Sequence, residues 1–126
     1  MDVSIIIVNY NTCDITSNCI DSICQHTSNI SYEIILVDNN SIDRSKEIFS
    51  NDLRIKYLYQ TSNLGFGKAN NIGANIAQGK YLFFLNSDTI LISNIIKEFY
   101  EYLEKHHYVA ACGCNLINEK GENTVS

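Results

Sequence analysis

Short runs of β-branched and aliphatic residues alternate along the chain with stretches whose apolar positions recur every three or four residues. Stacked βαβ units around a parallel sheet produce that alternation. Val3-Ser4-Ile5-Ile6-Ile7-Val8-Asn9 is almost continuously apolar, as a strand covered on both faces must be. Periodicity next predicts a helix over about Asp14 to His26, with Ile15, Cys19, Ile20 and Ile23 on its buried side. Glu33 to Asp38 reads as the second strand. Asn39-Asn40-Ser41 then offers turn and N-cap chemistry before a short helix near Arg44 to Phe49. Ile55 to Tyr59 reads as a third strand, assigned to a sheet edge by its charged flanks.

Gly65-Phe66-Gly67 opens a helix through Ala69, Ile72, Gly73, Ile76 and Ala77, with Gly79 as its expected C-cap. Lys80 to Leu85 is a fourth strand, ending at Asn86-Ser87-Asp88. An amphipathic helix carrying Ile95, Ile96, Phe99, Tyr100 and Leu103 follows, and Tyr108 to Cys112 reads as the start of another strand. The tail from Asn118 to Ser126 is polar. With no proline and no repeats, nothing marks an internal linker. The expectation is one α/β domain over residues 1–126, cut short rather than divided in two.

Chemistry gathers where the strands finish. The first ends in Asn9-Tyr10-Asn11, the second in Asp38-Asn39-Asn40-Ser41 and the fourth in Asn86-Ser87-Asp88. Open parallel sheets bind ligands outside the carboxyl ends of their strands. A strand order of 3-2-1-4 sets these three ends side by side. Tyr10 then offers a ring to a base, and Asn11 both a donor and an acceptor. Asp38 suits a base N–H or a ribose hydroxyl, and Asp88 supplies a hard oxygen ligand for Mg²⁺ or Mn²⁺ bridging phosphates. Each has a plainer role: Asp38 capping the turn that follows it, Asp88 capping the next helix or bracing a turn, Tyr10 roofing the core, Asn11 closing an Asx-turn.

Charge narrows the partners. Nine basic residues against fourteen acidic ones give a net charge of -5, and the basic residues form no stripe, so nucleic acid is not the expected partner. An acidic domain that takes a phosphorylated ligand needs a metal or aimed backbone N–H groups. Five cysteines occur without a CxxC pair and read as small buried hydrophobes in a reducing cytoplasm. The amino terminus lacks a basic leader and no run is long enough to span a bilayer, so the expected location is cytoplasmic. His26, His106 and His107 sit at helix ends, where the macrodipole accounts for them. Ser62 to Ala69 is no P-loop, because serine stands where the first glycine belongs and alanine where the metal-binding hydroxyl belongs. Lys68 and Asn70, in the first turn of the glycine-led helix, are expected to reach a nucleotide, with ordinary solvated surface the plainer role for Lys68.

Four segments in order carry a family resemblance: Val3 to Asn11, Glu33 to Ser41, Asn63 to Gly73 and Gly79 to Thr89. The chain resembles the amino-terminal part of family 2 glycosyltransferases, and its asparagine-rich version looks most like the rhamnosyltransferase-type branch. The resemblance implies a GT-A fold, a Rossmann-like, mostly parallel sheet flanked by helices. It implies a nucleotide-diphospho-sugar donor contacted by Tyr10, Asn11, Asp38, Asn40, Lys68, Asn70 and Asn86, with Asp88 binding Mg²⁺ or Mn²⁺. Asn86-Ser87-Asp88 would occupy the DXD position with a neutral first member, and Asn70 stands where many relatives have arginine. The implied reaction inverts the sugar as an acceptor hydroxyl displaces the nucleoside diphosphate, in cell-surface polysaccharide synthesis at the inner face of the membrane. The acceptor is a saccharide or lipid-linked saccharide. The general base is expected beyond residue 126, so this piece alone is expected to bind donor without turnover.

Two other readings remain. A receiver domain has similar length and order but needs an acidic pair after the first strand, and no acid occurs there before Asp14. A non-catalytic nucleotide-sugar-binding module would share the strand-end chemistry without turnover.

Overall fold

A computed structural model of the chain describes residues 1–114, 116–117 and 120–124. The elements run β1 (Val3–Asn9), α1 (Cys13–His26), β2 (Tyr32–Asp38), α2 (Ser45–Phe49), β3 (Ile55–Tyr59), α3 (Phe66–Ile76), β4 (Tyr81–Asn86), α4 (Ile95–Lys105), β5 (Leu116–Ile117) and β6 (Asn123–Thr124). The first four strands form one parallel sheet in the order β3-β2-β1-β4, with β3 at an edge. Ile5 lies level with Ile34 and Phe83, so the strand ends finish together along one rim.

Both faces of the central strands are covered, which is why their sequences are continuously apolar rather than alternating. On one face Ile5, Ile7, Ile34 and Leu36 pack with Cys19, Ile20 and Ile23 of α1, Phe49 of α2 and Ile96 of α4. On the other, Ile6, Ile35 and Val37 meet Ala69 of α3, with Val8 and Ile72 beside them. Gly73 allows that approach: a Cβ there would lie 2.7 Å from the Ile6 Cγ2. Each fully buried Ile or Leu contributes about 1.5–3 kcal/mol relative to exposure.

Four expectations are corrected. Ile15 is half exposed, because it sits in the first turn of α1 beyond the sheet rim rather than over the core. Gly79 is not a C-cap: α3 ends at Ile76 and passes through extended Ala77, leaving Gly79 pressed on the backbone of β1. The strand expected to begin at Tyr108 to Cys112 does not form. A short antiparallel β5–β6 pair follows instead, and the polar tail's Asn118, Glu119, Val125 and Ser126 lie outside the described residues. Cys13 and Cys19 are buried as expected, but Cys112 and Cys114 are exposed.

The amino-terminal end of the sheet is tied by a buried carboxylate. Glu33 Oε1 accepts the Ser4 hydroxyl at 2.6 Å and the Gln78 N–H at 2.8 Å, while Lys56 Nζ lies 2.5 Å from Oε2. The Gly79 N–H donates to the Ser4 hydroxyl at 2.8 Å. Burial pushes the Glu33 carboxyl up, but Lys56, Ser4 and Gln78 together overcome it and hold the group below its usual value. Because the folded value is the lower one, Glu33 stabilises the fold above the unfolded-state value of about 4.3. That contribution is lost as pH falls through the lower folded value. Urea unfolding between pH 7 and pH 3 is therefore expected to show a shallower acid limb in Glu33→Gln than in the wild type. Identical limbs would remove Glu33 from the acid response.

Candidate functional site

The rim where β1, β2 and β4 finish opens into a cleft of about 600 Å³. β1 contributes Val8 and, just past its end, Tyr10, which is 49% exposed. β4 contributes Asn86 with Ser87 and Asp88, in a turn closed by the Thr89 N–H donating to the Asn86 carbonyl at 3.1 Å. Asn39 from the end of β2, and Asn63, Gly65 and Phe66 from the entry to α3, complete the opposite wall. Thr12 and Ile15 of the α1 entry close one side and are shared with a neighbouring cleft of about 380 Å³ that includes Asn11, Asp43 and Arg44.

The pleat sorts the expected residues. Successive side chains of a strand point to opposite faces. Val8 and Val37 belong to the α3 face, so Asn39 continues toward the cleft while Asn9 and Asp38 turn beneath α1 and α2. Asp38 is fully buried. Its Oδ1 accepts the Ser41 N–H at 2.8 Å, and its Oδ2 accepts the Tyr57 hydroxyl at 2.5 Å and the Asn9 amide at 3.4 Å. Burial, and then the Asp38 carboxylate, push the Tyr57 phenol far above its usual value, so it stays a donor. The turn-bracing role weighed for Asp38 is therefore the one the structure displays.

Asn9 is the hub of the same network. Its Oδ1 accepts Thr16 Oγ1 at 2.7 Å and Thr12 Oγ1 at 3.0 Å, and its amide faces Ser45 Oγ at 3.0 Å and Ser41 Oγ at 3.2 Å. Polar groups buried together and satisfied in this way rigidify the strand ends above them. Asn11, at φ 53°, donates its N–H to Ser41 Oγ and accepts the Ile42 N–H at 2.8 Å. Asn40, at φ 72°, accepts the Tyr59 hydroxyl at 2.9 Å. Both therefore brace the rim.

Of the residues expected to meet a ligand, Tyr10, Asn86 and Asp88 are brought together in the cleft. Asn11 borders the adjoining cleft. Lys68 is exposed and Asn70 half-buried on α3, and neither borders the main cleft. Sequence reasoning missed Asn39 and Asn63 as lining residues, although both lie inside the segments that carried the family resemblance.

Asp88 is exposed and is the one charged side chain among the described lining residues. It caps no helix, since α4 begins seven positions on with Asn94 at its N-cap. Beneath the turn, the Cys19 thiol lies 3.8 Å from the Asn86 carbonyl. Burial, reinforced by the Asp88 charge, pushes that thiol up to about 12, so it is no thiolate ligand. No group of three or more His, Cys, Asp or Glu side chains gathers to hold a metal among the described residues. One carboxylate suits a divalent ion that fills its shell with water and substrate oxygens, and does not suit a resident metal held by protein alone.

A four-stranded parallel sheet with this order, covered by helices, defines a fold of the GT-A type. Residues 4–125 match the model of the family described as Glycosyl transferase family 2, and the chain belongs to that family. It is similar to the glycosyltransferase GlyG of Streptococcus pneumoniae, 34% identical over 108 residues that make up 82% of this chain and 35% of that protein. It is also 34% identical to the poly(ribitol-phosphate) beta-glucosyltransferase of Bacillus spizizenii over 113 residues, 84% of this chain and 18% of that protein. The fold superposes on residues 1–349 of S. aureus TarS in complex with UDP-GlcNAc with a TM-score of 0.74 at 24% identity, covering 85% of this chain and 32% of that one. The chain thus spans about a third of the length of GlyG. No helix among the described residues is long and apolar enough to cross a membrane.

Proposed function

We propose that these residues form the donor-binding part of a glycosyltransferase that moves a sugar from a nucleotide-diphospho-sugar to an acceptor hydroxyl. The observation that carries the reading is the joint placement of Tyr10, Asn86 and Asp88 in one cleft of a family 2 chain. Tyr10 offers its exposed ring to the base. Asn63 and Asn86, exposed on the cleft, present their amides to ribose and sugar hydroxyls. The diphosphate meets no lysine or arginine among the described lining residues, so its charge falls to the α3 entry and to an ion at Asp88. A bound Mg²⁺ or Mn²⁺ supplies Lewis-acid stabilisation of the departing diphosphate. Asp38 and Asn9 act from below, holding the rim that carries Tyr10.

The acceptor site and the general base are assigned to the part of the relatives' length that this chain does not cover. The poly(ribitol-phosphate) in the name of the Bacillus spizizenii relative supports a polymer as acceptor. Titration calorimetry of the full chain with UDP-, dTDP- and GDP-sugars, with and without Mn²⁺, tests the reading. Saturable binding of one nucleotide class, tightened by Mn²⁺, is expected. Absence of binding to all three would refute it.

A further inference from the structure

The pleat that turns Asp38 under α1 turns its neighbour Asn39 toward the cleft, yet Asn39 is only 3% exposed. Its side chain is spent on one backbone segment. Nδ2 donates to the Gly65 carbonyl at 3.1 Å, and Oδ1 accepts the Leu64 N–H at 3.3 Å. Its own N–H donates to the Asn9 carbonyl at 2.9 Å. One residue, through its backbone N–H and its carboxamide, therefore couples the β1–β2 core to the loop that enters α3. That loop needs outside support, because Gly65 sits at φ 83°, a backbone state L side chains rarely adopt. A Cβ at Gly65 would meet nothing within 4 Å, so the conformation, not space, requires the glycine there. Asn63 Oδ1 accepts the Gly65 N–H at 2.9 Å, closing the turn from the other side.

We propose that Asn39 is a positioning residue for the donor: its amide clamps the Leu64-Gly65 backbone and so fixes the cleft wall made by Asn63, Gly65 and Phe66. The inference rests on the donor reading above. The clamp needs a donor and an acceptor at one site, and only an amide of this length supplies both. Asn39→Asp keeps the shape but faces a carboxylate oxygen to the Gly65 carbonyl. Asn39→Ala removes both bonds. Gly65→Ala disturbs the same wall from the loop side and leaves Asn39 in place.

The test measures, in the full chain, binding of UDP-glucose, dTDP-glucose and GDP-glucose with Mn²⁺, together with hydrogen exchange of the Leu64 amide. Asn39→Asp and Gly65→Ala are each expected to weaken the donor bound by the wild type by about tenfold or more, since small misplacements of a binding wall carry that cost. Leu64 is expected to exchange faster in Asn39→Asp. The Asn39→Ala/Gly65→Ala double variant is expected to bind no worse than about twofold below its weaker parent, because both changes release one clamp. A folded Asn39→Asp protein with wild-type donor affinity overturns the proposal, as does a double variant whose losses multiply. A wild type that binds none of the three sugars sinks the donor reading without involving any variant. Unchanged Leu64 exchange in Asn39→Asp would then overturn the clamp as well, and faster exchange would uphold it.

Discussion

Asp88→Ala is expected to lower sugar transfer by the full chain by about 100-fold or more, with the loss confined to the Mn²⁺-dependent part of donor binding. The size follows from the charge inventory of the cleft. Asp88 is the single charged side chain on its described wall, and a nucleoside diphosphate brings negative charge into a domain already at -5. Without that carboxylate, the described cleft lining offers the proposed ion no charged oxygen at the β4 turn. The fold should not notice, since no hydrogen bond or ion pair among the described residues uses the Asp88 carboxylate, and the turn is closed by backbone. Melting temperature is therefore expected to stay within about 2 °C. Calorimetry with and without Mn²⁺ reads the effect, and Asp88→Asn should behave like Asp88→Ala because it loses the charge while keeping the size. Equal Mn²⁺ enhancement in wild type and variant would dismiss the carboxylate as a ligand.

The sheet was legible because its cause is local. Val3 to Asn9 and Ile34 to Asp38 are too apolar for anything but strands covered on both sides, and the intervening periodicity leaves room only for crossover helices. The errors came where one residue pattern serves two structures. Val109 to Cys112 is apolar enough for a strand, but a short apolar run reports neither burial nor a hydrogen-bonded neighbour, and Ala110 to Cys112 are exposed. A glycine after a helix and before a strand reads equally as a C-cap or as a point of close approach, and Gly79 is the second.

The rim of the site was legible too, but not which side chains look into it. In an antiparallel sheet the alternation of polar and apolar residues announces the two faces. A parallel sheet buried on both sides erases that signal. Nothing in Leu36-Val37-Asp38-Asn39 says which residue faces α3, and a shift of one position exchanges a buried brace for a cleft wall. The register of Asn9 with Asp38, and the packing of Ile6 and Val37 against α3, decide it. Gly65 was visible as part of the loop that opens α3, but its place and that of Asn63 on the cleft follow from the Asn39 bonds to a loop 25 and 26 positions away.

Gly79→Ala is expected to cost about 3 kcal/mol or more and to lower the melting temperature by roughly 10 °C. A Cβ on Gly79 would lie 2.4 Å from the Ser4 backbone N, 2.6 Å from the Val3 carbonyl carbon and 2.7 Å from Ser4 Oγ. Flexible side-chain ends can move aside, but the two nearest are main-chain atoms of a strand held by β2 on one side and β4 on the other. Displacing residue 79 instead would draw its N–H off Ser4 Oγ, the hydroxyl that donates to Glu33, and would strain the Lys80 N–H bond to the Met1 carbonyl. Either path breaks buried bonds, where an unmet partner costs more than the bond was worth. Gly67→Ala is the control: it lies in α3 with open space around its Cβ position, and is expected to be neutral or to stabilise by up to about 1 kcal/mol. Thermal and urea unfolding of the two variants checks this, and a Gly79→Ala protein as stable as the wild type would show that β1 yields. The clash sits at the amino end of the sheet, the length of β1 away from the cleft. The fraction of Gly79→Ala that folds should therefore bind donor as the wild type does, which separates a lesion of the scaffold from one of the site.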